Sequence, residues 1–173
     1  MARESRVEWP RFWSWILKVC EVRGWTKRSD AVKNILLKDI MTKDPVTLNI
    51  DESFCRVAEI FQKKDIRHLP IVNSQGVIFG IISQRDLNRI TSPKKGPNGE
   101  YLYDPEELTK YILKQHVIQK VSSLLPEDAL EKALEIMSEK KLGCMPIVDP
   151  DGRVVGIVTV TDLLKLFLKT LRK

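Results

Sequence analysis

The stretch Pro70-Ile71-Val72-Asn73-Ser74-Gln75-Gly76-Val77-Ile78-Phe79-Gly80-Ile81-Ile82-Ser83-Gln84-Arg85-Asp86-Leu87 decides the fold, because it occurs twice. It returns 76 residues later as Pro146-Ile147-Val148-Asp149-Pro150-Asp151-Gly152-Arg153-Val154-Val155-Gly156-Ile157-Val158-Thr159-Val160-Thr161-Asp162-Leu163. The match extends upstream without a gap, from Asp51 to Leu87 and from Glu127 to Leu163. Eleven of the 37 aligned positions are identical, and nine others exchange one apolar residue for another. An internal repeat fixes architecture before any single residue does. Each copy is too short to bury a core alone, so the two are expected to pack together with a cleft between them.

Each copy reads as the same series of elements. In the first, Val46-Thr47-Leu48 is a short strand, and Asp51 caps a helix with Phe54, Val57, Ala58 and Phe61 on its apolar face. Leu69–Val72 and Val77–Ile82 form a hairpin around Asn73-Ser74-Gln75-Gly76, and Ser83 opens a closing helix. In the second, the equivalents are Ser123–Leu125, a helix from Glu127, strands Met145–Val148 and Arg153–Val158, and a helix from Thr159. Strand–helix–strand–strand–helix gives an α/β (α+β) unit with a three-stranded sheet, and two units imply pseudo-two-fold packing.

Four segments follow. Residues 1–33 hold all four tryptophans, Trp9, Trp13, Trp15 and Trp25. From Arg11 to Val22 the polar residues Arg11, Ser14, Lys18 and Glu21 recur every three or four positions, opposite Phe12, Trp15, Ile16, Val19 and Val22. That period predicts an amphipathic helix with a wide apolar face. A second helix, Ala31–Met41, leads into the first repeat unit, taken as 34–91. Residues 92–104 form a linker whose Ser92–Glu100 part, with two prolines and two glycines, reads as a mobile loop. The second unit spans 105–173 and opens on a helix from Asp104-Pro105 to about His116.

Composition narrows the function classes. The 173-residue chain has net charge +6 and is 43% apolar. Residues 1–33 carry eight Lys/Arg against four Asp/Glu, so the repeats contribute little net charge and no general nucleic-acid field is expected. Cys20, Cys55 and Cys144 are odd in number and widely spaced, which fits free thiols in a reducing, cytoplasmic setting rather than disulfides or a zinc site. No apolar run reaches the ~18–20 residues that span a bilayer. No P-loop, GxGxxG or nucleophile–base arrangement is legible, so no enzyme activity and no required cofactor are expected.

Ser83-x-x-Asp86 and Thr159-x-x-Asp162 sit where a buried strand becomes a helix. Ser/Thr-x-x-Asp is a capping-box pattern and needs no further role. A carboxylate at a helix N-terminus beside a cleft can also accept two hydrogen bonds from a ribose diol, and both copies carry it at the same place.

Here the chain resembles a known family. Asp39-Ile40-Met41-Thr42-Lys43-Asp44-Pro45-Val46-Thr47-Leu48, Arg67-His68-Leu69-Pro70-Ile71-Val72 and Gly80–Leu87 look like a cystathionine β-synthase (CBS) domain, and Val121–Leu164 looks like a second. Two in tandem make a CBS pair, or Bateman module. The resemblance implies a regulatory module whose clefts bind an adenosine-containing small molecule, AMP, ADP, ATP or S-adenosylmethionine, and a homodimer. It places one site at Thr42, Val46, Thr47, Arg67, His68, Leu69, Ser83, Arg85 and Asp86. A second, weaker site falls at Ser122, Ser123, Met145, Thr159, Thr161 and Asp162. The copies differ where phosphates would lie: Arg67-His68 against Gly143-Cys144, and Gln84-Arg85 against Val160-Thr161. The plain alternative for Arg67 and His68 is a surface cation and a half-buried strand residue. The tryptophan segment is read as packing on the module or across a dimer, with partner-protein docking as an alternative. A purely structural dimerisation module, or nucleic-acid binding through residues 1–33, are the competing functions.

Overall fold

The structure is a computed structural model, described here for residues 35–172. The predicted amphipathic helix and its tryptophans lie outside the described residues. Two three-stranded sheets carry the fold. The first joins β2 (Leu48–Asn49), β3 (His68–Val72) and β4 (Ile78–Ser83); the second joins β1 (Thr42–Lys43), β8 (Val154–Thr159) and β7 (Cys144–Val148). Helices α1 (Phe54–Lys63) and α2 (Gln84–Thr91) belong to the first repeat, α5 (Leu130–Glu139) and α6 (Val160–Leu171) to the second.

The mixed α/β class and the order within each repeat are as the sequence predicts, with shifted ends. The strand predicted at Val46–Leu48 forms at Leu48–Asn49. Helix α1 is capped at Ser53 rather than Asp51, whose N–H turns back to the Asn49 side chain. The predicted strand at Ser123–Leu125 reduces to one bridge, Leu124 to Ile147, and α5 starts at Leu130 rather than Glu127.

Three differences have physical causes. Over 35–41 the predicted helix is a single 3-10 turn, Leu37–Asp39, because Leu36 to Lys38 hydrogen-bond residues near Pro126–Ala129 instead of their own helix. The predicted mobile loop folds as a hairpin of β5 (Lys94–Lys95) and β6 (Tyr101–Leu102), with Gly99 at φ +81° and the Tyr101 carbonyl accepting from Gln62. The helix expected to run to His116 breaks into α3 (Pro105–Leu108) and α4 (Leu113–His116). Tyr111, between them, is drawn inward to donate its hydroxyl to the Ile90 carbonyl.

The repeats are joined by an exchange of their leading segments. β1 precedes the first repeat but pairs antiparallel with β8 of the second, Thr42 opposite Ile157. The equivalent residue, Ile118, precedes the second repeat and bridges Ile81 of the first. The cores follow suit. Leu108, Leu113 and Val117 are buried with Phe54, Val57 and Leu87, whereas Leu37 is buried with Leu130, Met145 and Val158. The two hairpin tips also meet: Val77 bridges Arg153, Ile78 N–H donates to Gly152 C=O, and Val154 N–H donates to Gly76 C=O. These partners are related by the 76-residue offset, which is the pseudo-two-fold axis in atomic terms.

The crossings need glycine. A Cβ on Gly80 would strike Val117 and come within 2.7 Å of the Ile118 carbonyl oxygen; one on Gly156 would meet Met41, its Cγ at 3.0 Å. A backbone carbonyl in a ladder cannot step aside, whereas a methionine side chain can. Gly80→Ala is therefore expected to destabilise the chain by at least ~2 kcal/mol and Gly156→Ala by less, measured by chemical denaturation. The reverse order would refute this reading of the crossings.

Candidate functional site

Each repeat builds one polar corner where its last strand becomes a helix. Ser83 is the N-cap of α2: its Oγ accepts from Asp86 N–H at 3.1 Å, and Asp86 Oδ2 accepts from Ser83 N–H at 3.1 Å. Ser83 Oγ–H also donates to the same Oδ2. Thr159 and Asp162 repeat this at α6, with Thr159 N–H and Oγ1–H reaching Asp162 Oδ2 at 2.9 and 2.7 Å. The capping role is thus real at both ends, worth about 1 kcal/mol each. It consumes only one carboxylate oxygen. Asp86 Oδ1 has a long contact to exposed Arg89 at 3.4 Å. Every hydrogen bond of Asp162 among the described residues runs through Oδ2 or its own N–H. Both aspartates therefore keep an oxygen for another donor at a half-buried, electropositive helix end.

The first corner gathers Arg67, His68, Ser83, Arg85 and Asp86. His68 pairs with Ser83 across the β3–β4 ladder, and Gln84 N–H donates to the Arg67 carbonyl, tying the start of α2 to the start of β3. Arg67 and Arg85 are exposed and His68 is half-buried. Burial holds the His68 imidazole below its ordinary pKa of 6.5; Asp86 opposes that shift, and Arg67 and Arg85 add to it. At neutral pH the corner presents two guanidiniums, one carboxylate and a neutral imidazole. Leu69 is fully buried against Ile82, so only its main chain is available. Val46 is exposed, Thr47 is half-buried, and both lead into β2 beside β3.

Thr42 lies elsewhere than its place in the sequence suggests. It is exposed on the edge of β8, two residues from the register of Thr159, because β1 crosses to the second sheet. The second corner holds Thr159 and Asp162, with exposed Thr161 on the first turn of α6. Met145 is fully buried. Ser123 precedes Leu124, whose N–H donates to Pro146 C=O. Ser122 accepts from Lys140 Nζ at 2.8 Å. Lys140 thus brings an ammonium to Ser122 of the second copy. The charge comes from the end of α5, which the alignment of Arg67-His68 with Gly143-Cys144 does not reveal.

Gly143 has a role that sequence comparison missed. A Cβ there would lie 2.6 Å from His68 Nε2 and 2.9 Å from Cε1. The imidazole of the first repeat thus lies against the second, in the space that a side chain at Gly143 would fill. Cys144 is buried, and burial pushes its thiol up to about 12, so it is a packing residue and not a nucleophile. A groove of about 410 Å³ lies outside both corners, lined by Ile50, Ser53, Phe54, Leu108, Tyr111 and Lys114 among others. Among the described residues no His, Cys, Asp and Glu cluster could hold a metal, and no helix is long and apolar enough to cross a membrane.

Two measurements check this geometry. Gly143→Ala should destabilise by about 1–3 kcal/mol, and adding His68→Ala should recover most of that loss; simple additivity of the two would contradict the contact. Because the folded chain holds His68 neutral, the unfolded chain binds its proton first as pH falls. Stability should therefore drop as pH falls below about 6.5, and His68→Asn should flatten that slope in urea titrations at several pH values. An unchanged slope would show that His68 is not the group involved.

A family model described as "CBS domain" matches residues 37–92 and 113–169. A CBS domain-containing protein of Dictyostelium discoideum is 32% identical over 140 residues, covering 79% of this chain and 94% of that protein. An L-aspartate semialdehyde sulfurtransferase of Methanocaldococcus jannaschii is 32% identical over 132 residues, which is 76% of this chain but 23% of that protein. Against several such relatives the chain spans about a quarter of their length. Among solved structures, the CBS domain pair of protein MJ0100, in complex with 5'-methylthioadenosine and S-adenosyl-L-methionine, superposes with a TM-score of 0.64 at 29% identity, covering 78% of this chain and 97% of that one. Two matched copies, two capped carboxylate corners and an exchanged pair of sheets make this chain a member of the CBS-domain family, carrying a tandem pair.

Proposed function

We propose that this chain is a regulatory module that binds an adenosine-containing molecule at the inter-repeat corners and does no chemistry of its own. The observation that carries the reading is the pair of symmetry-related carboxylates, each capped through one oxygen only; the other oxygen has a long contact to exposed Arg89 at Asp86 and no hydrogen bond among the described residues at Asp162. Asp86 Oδ1 and Asp162 Oδ1 suit the two hydroxyls of a ribose, with Ser83 and Thr159 beside them. Support comes from the 29%-identical pair of MJ0100, which binds 5'-methylthioadenosine and S-adenosyl-L-methionine. Main chain at Leu69 and Met145 and the lead-in strands near Thr42, Val46, Thr47, Ser122 and Ser123 would frame the adenine.

The corners are unequal. Arg67 and Arg85 flank Asp86, and a guanidinium can grip phosphate oxygens with two N–H groups at once. The second corner has exposed Thr161 in place of Arg85, and Gly143-Cys144 in place of Arg67-His68. A phosphorylated ligand, AMP, ADP or ATP, therefore prefers the first corner, while an uncharged or cationic adenosine derivative such as S-adenosylmethionine suits the second equally well. Occupancy would bias the packing of one repeat on the other and pass to a second copy or a partner protein in the cytoplasm.

Thermal denaturation with AMP, ADP, ATP and S-adenosylmethionine tests the reading. A true ligand at ~100 times its Kd adds ~2.7 kcal/mol of stability. Silence from all four would favour a purely structural module. Calorimetry on variants then tests the asymmetry: Asp86→Asn should weaken a phosphorylated ligand ~10–100-fold, and Asp162→Asn should leave it within ~2-fold. Equal losses from both would contradict unequal corners.

A further inference from the structure

The imidazole of His68 is held by packing rather than by polar bonds. It stands opposite Ser83 in the β3–β4 ladder, next to the capping box of Asp86. From the other side the second repeat lies against it, with Nε2 only 2.6 Å from where a Cβ on Gly143 would stand. Among the described residues no hydrogen bond or salt bridge reaches the ring. Yet no buried side-chain nitrogen or oxygen goes without a partner, so both ring nitrogens stay open to solvent.

The charges around the ring come from three places. Burial works most strongly against the imidazolium; Asp86 on α2 favours it, while Arg67 beside it and Arg85 on α2 oppose it. The second repeat adds no charge at the contact. Gly143 has no side chain, and burial keeps the neighbouring Cys144 thiol protonated up to about 12. By itself, then, the chain carries this imidazole neutral. A phosphate gripped by Arg67 and Arg85 reverses the balance. It cancels the two cations, and its charge of about −1.5 to −2 adds to that of Asp86. Its oxygens can also accept from an open ring nitrogen, which favours the protonated ring.

We infer that His68 couples phosphate binding at the first corner to the uptake of one proton, so that a phosphorylated ligand binds more tightly as pH falls. The proton comes from solvent, and imidazole becomes imidazolium. This rests on the reading of that corner as the site of a phosphorylated adenosine ligand. The second corner lacks the device. Cys144 stands opposite Thr159 as His68 stands opposite Ser83, and its thiol already holds its proton at neutral pH. Acid thus acts in opposite directions on the two states of the chain: it weakens the fold without ligand and tightens the complex.

Calorimetry of AMP binding to the full chain at pH 7, in two buffers of different ionisation enthalpy, counts the protons taken up. The phosphate, with its second pKa ≈ 6, is then already mostly dianionic, so the uptake belongs to the protein. About 0.5 proton or more is expected, with Kd falling by up to ~10-fold per pH unit between pH 8 and 6.5. His68→Asn should abolish the uptake and leave Kd flat, or rising as the phosphate itself titrates. His68→Gln is a second neutral variant, and far-ultraviolet circular dichroism checks that both fold; the count on the unsubstituted chain needs neither. Adenosine, with the same ribose and no phosphate, should bind without uptake. AMP that binds with no uptake, or with uptake that the folded variants or adenosine reproduce, overturns the inference and leaves the adenosine reading standing. Absence of AMP binding at every pH overturns both.

Discussion

The exchange of leading segments is the constraint on which the rest of this structure depends. A sheet edge exposes unpaired N–H and C=O groups that must find partners. Here each repeat's edge strand is met by the chain that introduces the other repeat, at Thr42–Ile157 and at Ile118–Ile81. Neither repeat has a complete edge or core without the other. The close approach at Gly80 and Gly156 sets how near the two can come. The hairpin tips then lock the axis through Val77 and Arg153. Repeats joined this way are held together by main-chain hydrogen bonds, which leaves polar side chains such as Arg67 and Arg85 exposed at the corners.

The capping boxes join stability to function at the corners. An aspartate at the third helical position steadies the helix end through one oxygen and leaves the other outside the cap. The asymmetry is layered on this shared frame. His68 leans from the first repeat onto Gly143 of the second, and its partial burial keeps it neutral amid two guanidiniums. The same glycine that removes a cation from the second corner makes room for the imidazole beside the first. One substitution between the copies thus serves packing and charge together.

Much of this was legible in the sequence. Repeated Gly-Ile-apolar-(Ser/Thr)-x-x-Asp located both corners, and the turns at Gly76 and Gly152, each at positive φ, marked both hairpins. What local pattern could not convey was partnership across the axis. The crossing of β1 is invisible to periodicity, because Thr42 pairs with a residue 115 positions away. Ala31–Met41 has helical spacing, yet over 35–41 its backbone bonds go to residues near 126–129 and the helix is not made. Lys140 reaches Ser122 from the end of another helix, which an alignment of strands cannot show. A large residue in one copy facing a glycine in the other, His68 and Gly143, is the one cross-axis signal that sequence comparison could have used.

The central claim is that a ribose sits on the oxygen of a capped aspartate that the cap does not use. Determining the structure of the chain crystallised with AMP tests it most directly. The account predicts the ribose hydroxyls on Asp86 Oδ1 and the phosphate toward Arg67 and Arg85. AMP bound instead in the groove formed by Ile50–Cys55 and Leu108–Lys114, or with its ribose away from both aspartates, would contradict it.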